Sequence, residues 1–269
     1  MSSAAVDGTT RFIQRGGVRL AYEERGHGDH SILLIHGMAC DHTHFATQLA
    51  HLSKRYRVVA VDLRGHGQSD KPQAPYNNEV FGDDLRFTIE YLELGPTVFI
   101  GHSLGGSIAL DLVGHHPELF RALILLDSGI RPPGPKSAEL SPFYASLGGP
   151  DHAARVGEFV RRRLVEPTDG AELIERIAAT MAATPAHVFL AMADGVLAFD
   201  SHAAALANTD VPSLLILGAR PFAEPASVAA LGANWQVGQV VGSGHFIQMV
   251  VPDQVNAMLD RFLDLLPAE

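Results

Sequence analysis

The segment Gly101-His102-Ser103-Leu104-Gly105 places a serine between two glycines in the pattern G-x-S-x-G. It follows a short apolar run typical of a buried strand and precedes a pattern typical of a helix. A serine on so sharp a turn stands clear of the sheet, and the glycines remove Cβ atoms that would collide with neighbouring elements. The positive end of the following helix lies where negative charge develops during attack on a carbonyl. This spacing predicts that Ser103 is a nucleophile.

A second turn, His36-Gly37-Met38, ends the apolar run 31–35. A glycine at this point allows a backbone N–H to face the nucleophile. We expect the amides of Met38 and Leu104 to form a two-donor oxyanion hole, in which each donor is worth roughly 3–4 kcal/mol. The alternative is an ordinary strand-to-helix turn, which Gly37 would also serve.

The elements that must position these residues are short apolar runs separated by helical patterns. The runs lie at 31–35, 57–61, 97–101, 122–126 and 213–217, and the helical patterns at 79–94, 104–115 and 252–266. The runs lack period-two alternation, as expected of strands covered on both faces. A hairpin is predicted at 12–24. Strand–helix alternation of this kind predicts an α/β fold with a doubly wound, mostly parallel sheet.

The stretch 131–208 interrupts this alternation, because it carries only helical patterns. It opens with a proline-rich connector that cannot be helical. An all-helical insertion at the carboxyl end of two sheet strands is well placed to cover a site. We therefore predict an α/β core formed by 1–130 and 209–269, with a helical lid at 131–208.

Four segments together resemble the α/β-hydrolase superfamily: His36-Gly37, Asp62-Leu-Arg-Gly-His-Gly-Gln-Ser69, Gly101-His-Ser-Leu-Gly-Gly106 and Gly244-His245-Phe246. The resemblance covers nearly all of the chain outside the predicted lid. It implies a catalytic order of serine, acid and histidine, with the histidine in a loop after the last strand. His245 follows the apolar run 237–241, so the resemblance implies that His245 is the general base.

The acid departs from the commonest pattern of this family, which places an aspartate shortly after the strand corresponding to 213–217. In this chain, the expected position in that loop is occupied by Pro221 or by a neighbouring residue, and neither has a carboxylate. Two candidates remain. Asp127 ends the preceding strand, as the acid does in the zearalenone lactonases and cofactor-independent quinaldine dioxygenases that it resembles, whereas Glu224 lies between two prolines in a loop. Geometry favours Asp127, because a strand end holds a side chain rigidly; a plain strand-end cap is the other interpretation.

These residues predict a serine hydrolase that cleaves a carboxylic ester or lactone through an acyl-enzyme. Phe246 and Met249 beside the base, with Phe143 and Tyr144 in the lid, are candidates for lining an apolar pocket. Three alternatives stay open: carbon–carbon bond hydrolysis on the same triad, cofactor-free dioxygenation, and a receptor-like binder that retains the triad.

Composition narrows the partners. The chain has 269 residues and a formal net charge of −10, which argues against binding nucleic acid or anionic lipid. Its single cysteine, Cys40, excludes an internal disulfide, and no basic side chain is predicted to activate it, so we expect Cys40 to serve packing. No metal-ligand spacing, phosphate-binding glycine motif or signal-like segment is present, so we expect a cytoplasmic enzyme that acts on a small molecule without a metal or cofactor.

Overall fold

The computed structural model describes residues 9–132, 146–208 and 210–267. Within these ranges the strands are β1 (Arg11–Arg15), β2 (Val18–Arg25), β3 (Ser31–Ile35), β4 (Arg57–Val61), β5 (Thr97–His102), β6 (Phe120–Leu126), β7 (Ser213–Leu217) and β8 (Trp235–Gln239). The α-helices are α1 (Ala46–Leu52), α2 (Asn78–Tyr91), α3 (Leu104–His115), α4 (His152–Phe159), α5 (Ala171–Ala182), α6 (Ala186–Ala198), α7 (Ser201–Ala207), α8 (Pro225–Ala229), α9 (Ile247–Val250) and α10 (Pro252–Leu263).

The described strands form one eight-stranded sheet in the order β1-β2-β4-β3-β5-β6-β7-β8. Strand β2 pairs antiparallel with β1 and β4. The six strands from β3 to β8 all run parallel to one another. The predicted doubly wound sheet and the hairpin at 12–24 are therefore confirmed. The parallel order brings the carboxyl ends of β3, β5 and β6 together, and the loops that follow them carry the candidate site.

Both faces of the sheet are covered, which explains why its central strands are apolar without alternation. One core cluster joins the sheet to α2, α3 and α7, and a second joins it to α1, α9 and α10. All five residues of β3 are buried. The central strands thus form a rigid base for the loops at their carboxyl ends.

The last strand differs from its prediction. The apolar run 237–241 indicated the strand, but β8 spans Trp235–Gln239. It lies at the edge of the sheet, where Val237 is 46% exposed and Val241, beyond its end, is 77% exposed. An edge strand is paired on one side only, so apolar content alone does not mark its bounds.

In its described residues 146–208, the segment between β6 and β7 consists of helices joined by short loops, without a strand. Helix α4 is followed directly by a π-helical turn at Val160–Leu164. A third cluster joins α4, α5 and α6 to Ala39, Cys40 and Phe246 of the core loops. Ala205 of α7 belongs instead to the cluster that covers the sheet. No helix in the described ranges is both long and apolar enough to cross a bilayer.

Candidate active site

Ser103 lies on the turn between β5 and α3 with φ 52° and ψ −114°, a conformation rarely adopted by residues with a side chain. Its N–H donates to Leu126 O of β6 at 3.1 Å, which anchors the turn. The glycines around it are required by close approach of backbone. A Cβ at Gly101 would lie 2.5 Å from backbone atoms of Gly105 and Gly106, and one at Gly105 would lie 2.2 Å from Ile35 O. The strained turn expected from the sequence is present.

Asp127 and His245 form a direct pair. Asp127 follows β6 with a positive φ of 43°, and its side chain is fully buried. Its Oδ2 lies 2.7 Å from His245 Nδ1, and its Oδ1 accepts the N–H of Gly218, which follows β7, at 2.9 Å. Because both carboxylate oxygens are held by different partners, the carboxylate has one fixed orientation. This orientation leaves the opposite ring nitrogen, Nε2, as the atom available to a substrate or nucleophile.

The alternative acid, Glu224, is the residue before helix α8, and its N–H donates to Ile130 O at 3.1 Å. It does not take the position beside Nδ1 of His245, which Asp127 occupies. The structure thus brings Asp127 and His245 together and leaves Glu224 at the start of a helix.

His102 supports the loop that carries His245. Its Nε2 donates to the backbone carbonyl of His245 at 3.0 Å, and the two rings pack with centroids 4.6 Å apart. Burial, reinforced by the positive charge that His245 can carry, holds the pKa of His102 well below its usual range. His102 is therefore a neutral donor that fixes the backbone of His245.

The turn that contains Met38, predicted to hold an oxyanion, packs directly against Ser103. Cys40 N–H donates to Gly37 O at 3.2 Å, which closes a four-residue turn with Met38 and Ala39 at its centre. Ala39 has a φ of 59°, as the third residue of a type II turn requires. A Cβ at Gly37 would lie 3.2 Å from Ser103 Cβ. Leu104 is the first residue of α3, so its amide N–H has no acceptor within the helix.

Ser103 lines a cavity beside the carboxyl ends of the central strands. Its lining comes from the Ser103 turn, the turn that contains Met38, the loops after β6 and β7, the loop that carries His245 and the helical segment between β6 and β7: Gly37, Met38, Cys40, His102, Ser103, Leu104, Ser107, Gly129, Arg131, Pro132, Phe159, Leu164, Met181, Phe199, Ser201, Phe222, His245 and Phe246. Aromatic, leucine and methionine side chains alternate with a few polar groups, as is usual for sites that take small organic molecules.

The pocket residues predicted from the sequence have different outcomes. Phe246 lines the cavity. Met249 is not among the described lining residues. It packs instead against the third cluster, here called the lid cluster, which joins α4, α5 and α6 to the core loops. Phe143 and Tyr144 lie outside the described residues. Sequence reasoning did not single out Phe222, Met181 or Arg131, because their approach to Ser103 depends on how the lid and the loop after β7 fold back over the sheet.

The helical segment 146–208 contacts the loop that carries His245 through one backbone carbonyl and one carboxylate. His245 N–H donates to Leu164 O at 2.8 Å, and Gly244 N–H lies 3.2 and 3.3 Å from the two carboxylate oxygens of Asp169. Asp169 is 5% exposed and also accepts the N–H of Glu166 at 2.8 Å. A Cβ at Gly244 would lie 2.8 Å from both Leu164 O and Asp169 Oδ2, which explains the glycine before the base. These contacts fix the position of the lid relative to His245.

Cys40 has a basic neighbour, contrary to the sequence prediction. This neighbour is His44, which lies four residues after Cys40 in the sequence and is buried. Although burial opposes its protonation, the Cys40 thiol and the Asp41 carboxylate raise the pKa of His44 to about 10. Cys40 itself is buried in the lid cluster, as its expected packing role requires. In the described part of the chain, no three His, Cys, Asp or Glu side chains are grouped so that they could hold a metal ion.

The chain belongs to the α/β hydrolase fold family, whose model matches residues 30–252. It is 34% identical over 131 residues to 2-(acetamidomethylene)succinate hydrolase from Mesorhizobium japonicum, covering 47% of each chain. It is 35% identical over 122 residues to 2-hydroxymuconate semialdehyde hydrolase from a Pseudomonas species, covering 44% of this chain and 43% of the relative. The chain thus spans less than half the length of these curated relatives.

Solved structures match over the full fold. An esterase from Thermogutta terrifontis with malate bound superposes with a TM-score of 0.86 and 26% identity, covering 97% of this chain and 100% of that chain. An enol-lactonase from Burkholderia xenovorans superposes with a TM-score of 0.85 and 24% identity, covering 94% and 100%. At 24% identity the second likeness shows the common fold alone.

Proposed function

We propose that this α/β hydrolase is a serine hydrolase that cleaves a carboxylic ester or lactone through an acyl-enzyme. The observation that carries the proposal is the 2.7 Å contact between Asp127 Oδ2 and His245 Nδ1, with His245 and the strained Ser103 lining one cavity. A nucleophile, a base and a group that orients the base are the three parts that serine hydrolysis needs.

In the acylation step, His245 Nε2 removes the proton of Ser103 as Oγ attacks the substrate carbonyl. Asp127 keeps the ring proton on Nδ1, which leaves Nε2 as the base, and its negative charge stabilises the imidazolium that forms. The same imidazolium then donates its proton to the leaving alcohol, or to the ring oxygen of a lactone. Breaking the ester bond leaves the acyl group on Ser103.

In the deacylation step, His245 Nε2 accepts a proton from water as the water oxygen attacks the acyl-enzyme carbonyl. The imidazolium then returns this proton to Ser103 Oγ as the bond between Oγ and the acyl carbon breaks and the carboxylic acid leaves. The backbone amides of Met38 and Leu104 are the proposed donors to the oxyanion in both steps. Two features support this role: Leu104 has a free amide at a helix start, and the turn that contains Met38 packs on Ser103. Loss of one such donor typically costs about 3–4 kcal/mol of transition-state stabilisation.

The cavity supports a substrate of small to medium size. Phe159, Met181 and Phe222 line it together with Phe246, so much of its wall is apolar. The esterase that is 26% identical to this chain supports ester hydrolysis within this range of chemistry. Carbon–carbon bond hydrolysis is the second candidate, favoured by the sequence similarity to 2-hydroxymuconate semialdehyde hydrolase.

The test is hydrolysis of nitrophenyl esters from acetate to decanoate, together with a panel of small lactones. We expect turnover by the wild-type protein that is lost in Ser103→Ala. Ser107→Ala is the matched control, because Ser107 lines the same cavity but lies one turn into α3, and it should retain most of the activity.

The outcome also separates the alternatives. Turnover that persists in Ser103→Ala would contradict the proposed nucleophile. Absence of turnover on every ester and lactone would contradict the proposed reaction, and diketone cleavage or oxygen uptake by the same protein would then assign the carbon–carbon hydrolase or the dioxygenase.

A further inference from the structure

Arg131 is the arginine that lines the cavity, four residues beyond Asp127. None of the described lining residues is an aspartate or a glutamate. Among the residues that the structure describes, the guanidinium of Arg131 has no ion pair. A guanidinium stays charged at every pH at which proteins are folded, so this wall of the cavity carries a positive charge with no counter-charge among the described residues.

The backbone beneath Arg131 is held firmly. Its N–H donates to Ser201 Oγ at 3.0 Å, and its carbonyl accepts from the same hydroxyl at 3.1 Å and from His202 N–H at 3.3 Å. Ser201 is 5% exposed and begins helix α7. The preceding residue, Ile130, is fully buried. The arginine therefore extends from a fixed point on the cavity wall rather than from a free loop.

Other arginines of this protein have carboxylate partners. Arg64 is bound by both oxygens of Asp84, at distances of 2.5 and 2.6 Å, and Arg57 is bound by Glu24 at 2.7 Å. The protein as a whole carries a formal charge of −10, so its surface repels anions. An arginine at the wall of the cavity with no carboxylate partner in the described ranges provides local attraction for an anion in an otherwise repulsive field.

We propose that Arg131 binds a carboxylate of the substrate, so that the preferred substrates are esters or lactones that also carry a free carboxylate. This inference rests on the proposed function, because it assigns the substrate class of the same site. A guanidinium binds a carboxylate through two parallel N–H···O bonds, which fix orientation as well as position. Such an anchor at one end of the substrate orients the reacting carbonyl towards Ser103.

Arg131 and Ser103 line the same cavity, so the carboxylate and the reacting carbonyl are expected at two ends of one small molecule. Dicarboxylic acids esterified at one end have this form.

The experiment compares mono-4-nitrophenyl esters of glutaric, adipic and suberic acids with the same compounds in which the free acid is a methyl ester. The paired compounds have the same reacting carbonyl and leaving group, and they differ in the charge of the far end. We expect the wild-type protein to prefer the free acid by at least about tenfold in kcat/KM for one of the chain lengths, a discrimination typical of a charge-assisted contact.

Arg131→Gln should reduce this preference by at least about tenfold, and Arg131→Lys should retain part of it, because an ammonium supplies the charge without the bidentate geometry. Arg162→Gln is the control. Arg162 lies on the lid, and its contact is an exposed ion pair with Glu158, so this variant should keep the wild-type ratio. In the wild-type protein, 1 M salt should lower the preference for the free acid.

Two results would overturn the inference: Ser103-dependent hydrolysis with no preference for the free acid at any chain length, or a preference that Arg131→Gln leaves unchanged. The proposed function fails in a different way, when neither ester is hydrolysed in a Ser103-dependent manner. In that case, calorimetric binding of monomethyl adipate to Ser103→Ala decides the inference separately. Binding lost in the Ser103→Ala/Arg131→Gln double variant supports the carboxylate site, and no binding to Ser103→Ala overturns it.

Discussion

Replacing Asp127 by asparagine tests the orientation of the base, and the structure predicts how the amide will be placed. Asp127 Oδ1 accepts the N–H of Gly218 at 2.9 Å, whereas Oδ2 faces His245 Nδ1 at 2.7 Å. An asparagine has one acceptor oxygen. If that oxygen stays with Gly218, the amide NH₂ donates to Nδ1 of His245 and forces the ring proton onto Nε2. A ring protonated on Nε2 cannot accept the proton of Ser103.

The opposite amide orientation is less favourable. It would place the NH₂ group against the N–H of Gly218 in a fully buried site, and an unsatisfied buried donor costs about 1–3 kcal/mol. The wrong ring tautomer should therefore predominate. We expect kcat to fall by about 10⁴-fold, the loss that the equivalent exchange causes in Ser-His-Asp proteases. This loss corresponds to about 5 kcal/mol of transition-state stabilisation.

The assay is steady-state hydrolysis of the best nitrophenyl ester by wild type, Asp127→Asn and Glu224→Gln, with thermal unfolding to show that each variant is folded. Glu224→Gln should remain close to wild type, because Asp127 already occupies the position beside the ring nitrogen. The reverse ranking, with Glu224→Gln inactive and Asp127→Asn within tenfold of wild type, would refute the assignment of the acid.

Three further predictions concern the elbow, the lid and acid stability. Gly105→Ala would place a methyl group 2.2 Å from a backbone oxygen of β3, so urea unfolding should show a loss of stability of more than about 1–3 kcal/mol. Gly114→Ala is the control, because Gly114 faces open space on the same helix and the exchange should be neutral or stabilising. Equal effects of the two variants would contradict the packing described. Asp169→Ala should lower kcat by up to about 10²-fold with a smaller change in KM, because it releases the backbone amide of Gly244 next to His245. An unchanged kcat would show that the contact with Asp169 does not position His245. Burial lowers the pKa of His66 to about 3. As the pH falls below about 6.5, the unfolded chain therefore binds a proton on this imidazole that the folded chain does not bind. Between pH 7 and pH 5 this residue should lower the free energy of unfolding by about 2 kcal/mol. Urea unfolding measured at both pH values checks this, and a stability that does not fall in acid would contradict it.

The central sheet could be predicted because its physical requirements are local. Strands buried on both faces must be apolar along their whole length, and the runs 31–35, 57–61 and 213–217 match β3, β4 and β7 to the residue. Ser103 and Asp127 immediately follow such strands, so the strand ends marked them. Their positive φ values agree with turns that only the surrounding sheet can hold in place.

The wall of the cavity could not be predicted in the same way. Phe222, Met181 and Arg131 come from three distant parts of the chain, and nothing in their local patterns distinguishes a cavity wall from a core or a surface. Met249 illustrates the reverse case. It lies four residues after His245, yet α9 turns it towards the lid cluster. Such placements depend on how the lid packs on the core loops, and periodicity carries no information about that contact.

The central claim is that Ser103 is the nucleophile, and covalent labelling tests it most directly. The protein would be treated with a fluorophosphonate, which phosphonylates an activated serine, and the site of the added mass would be located by peptide mass spectrometry. We predict one equivalent of adduct on Ser103, loss of ester hydrolysis in proportion to labelling, and no adduct in Ser103→Ala. Stoichiometric labelling at another residue, or full ester hydrolysis by a protein phosphonylated at Ser103, would contradict the claim.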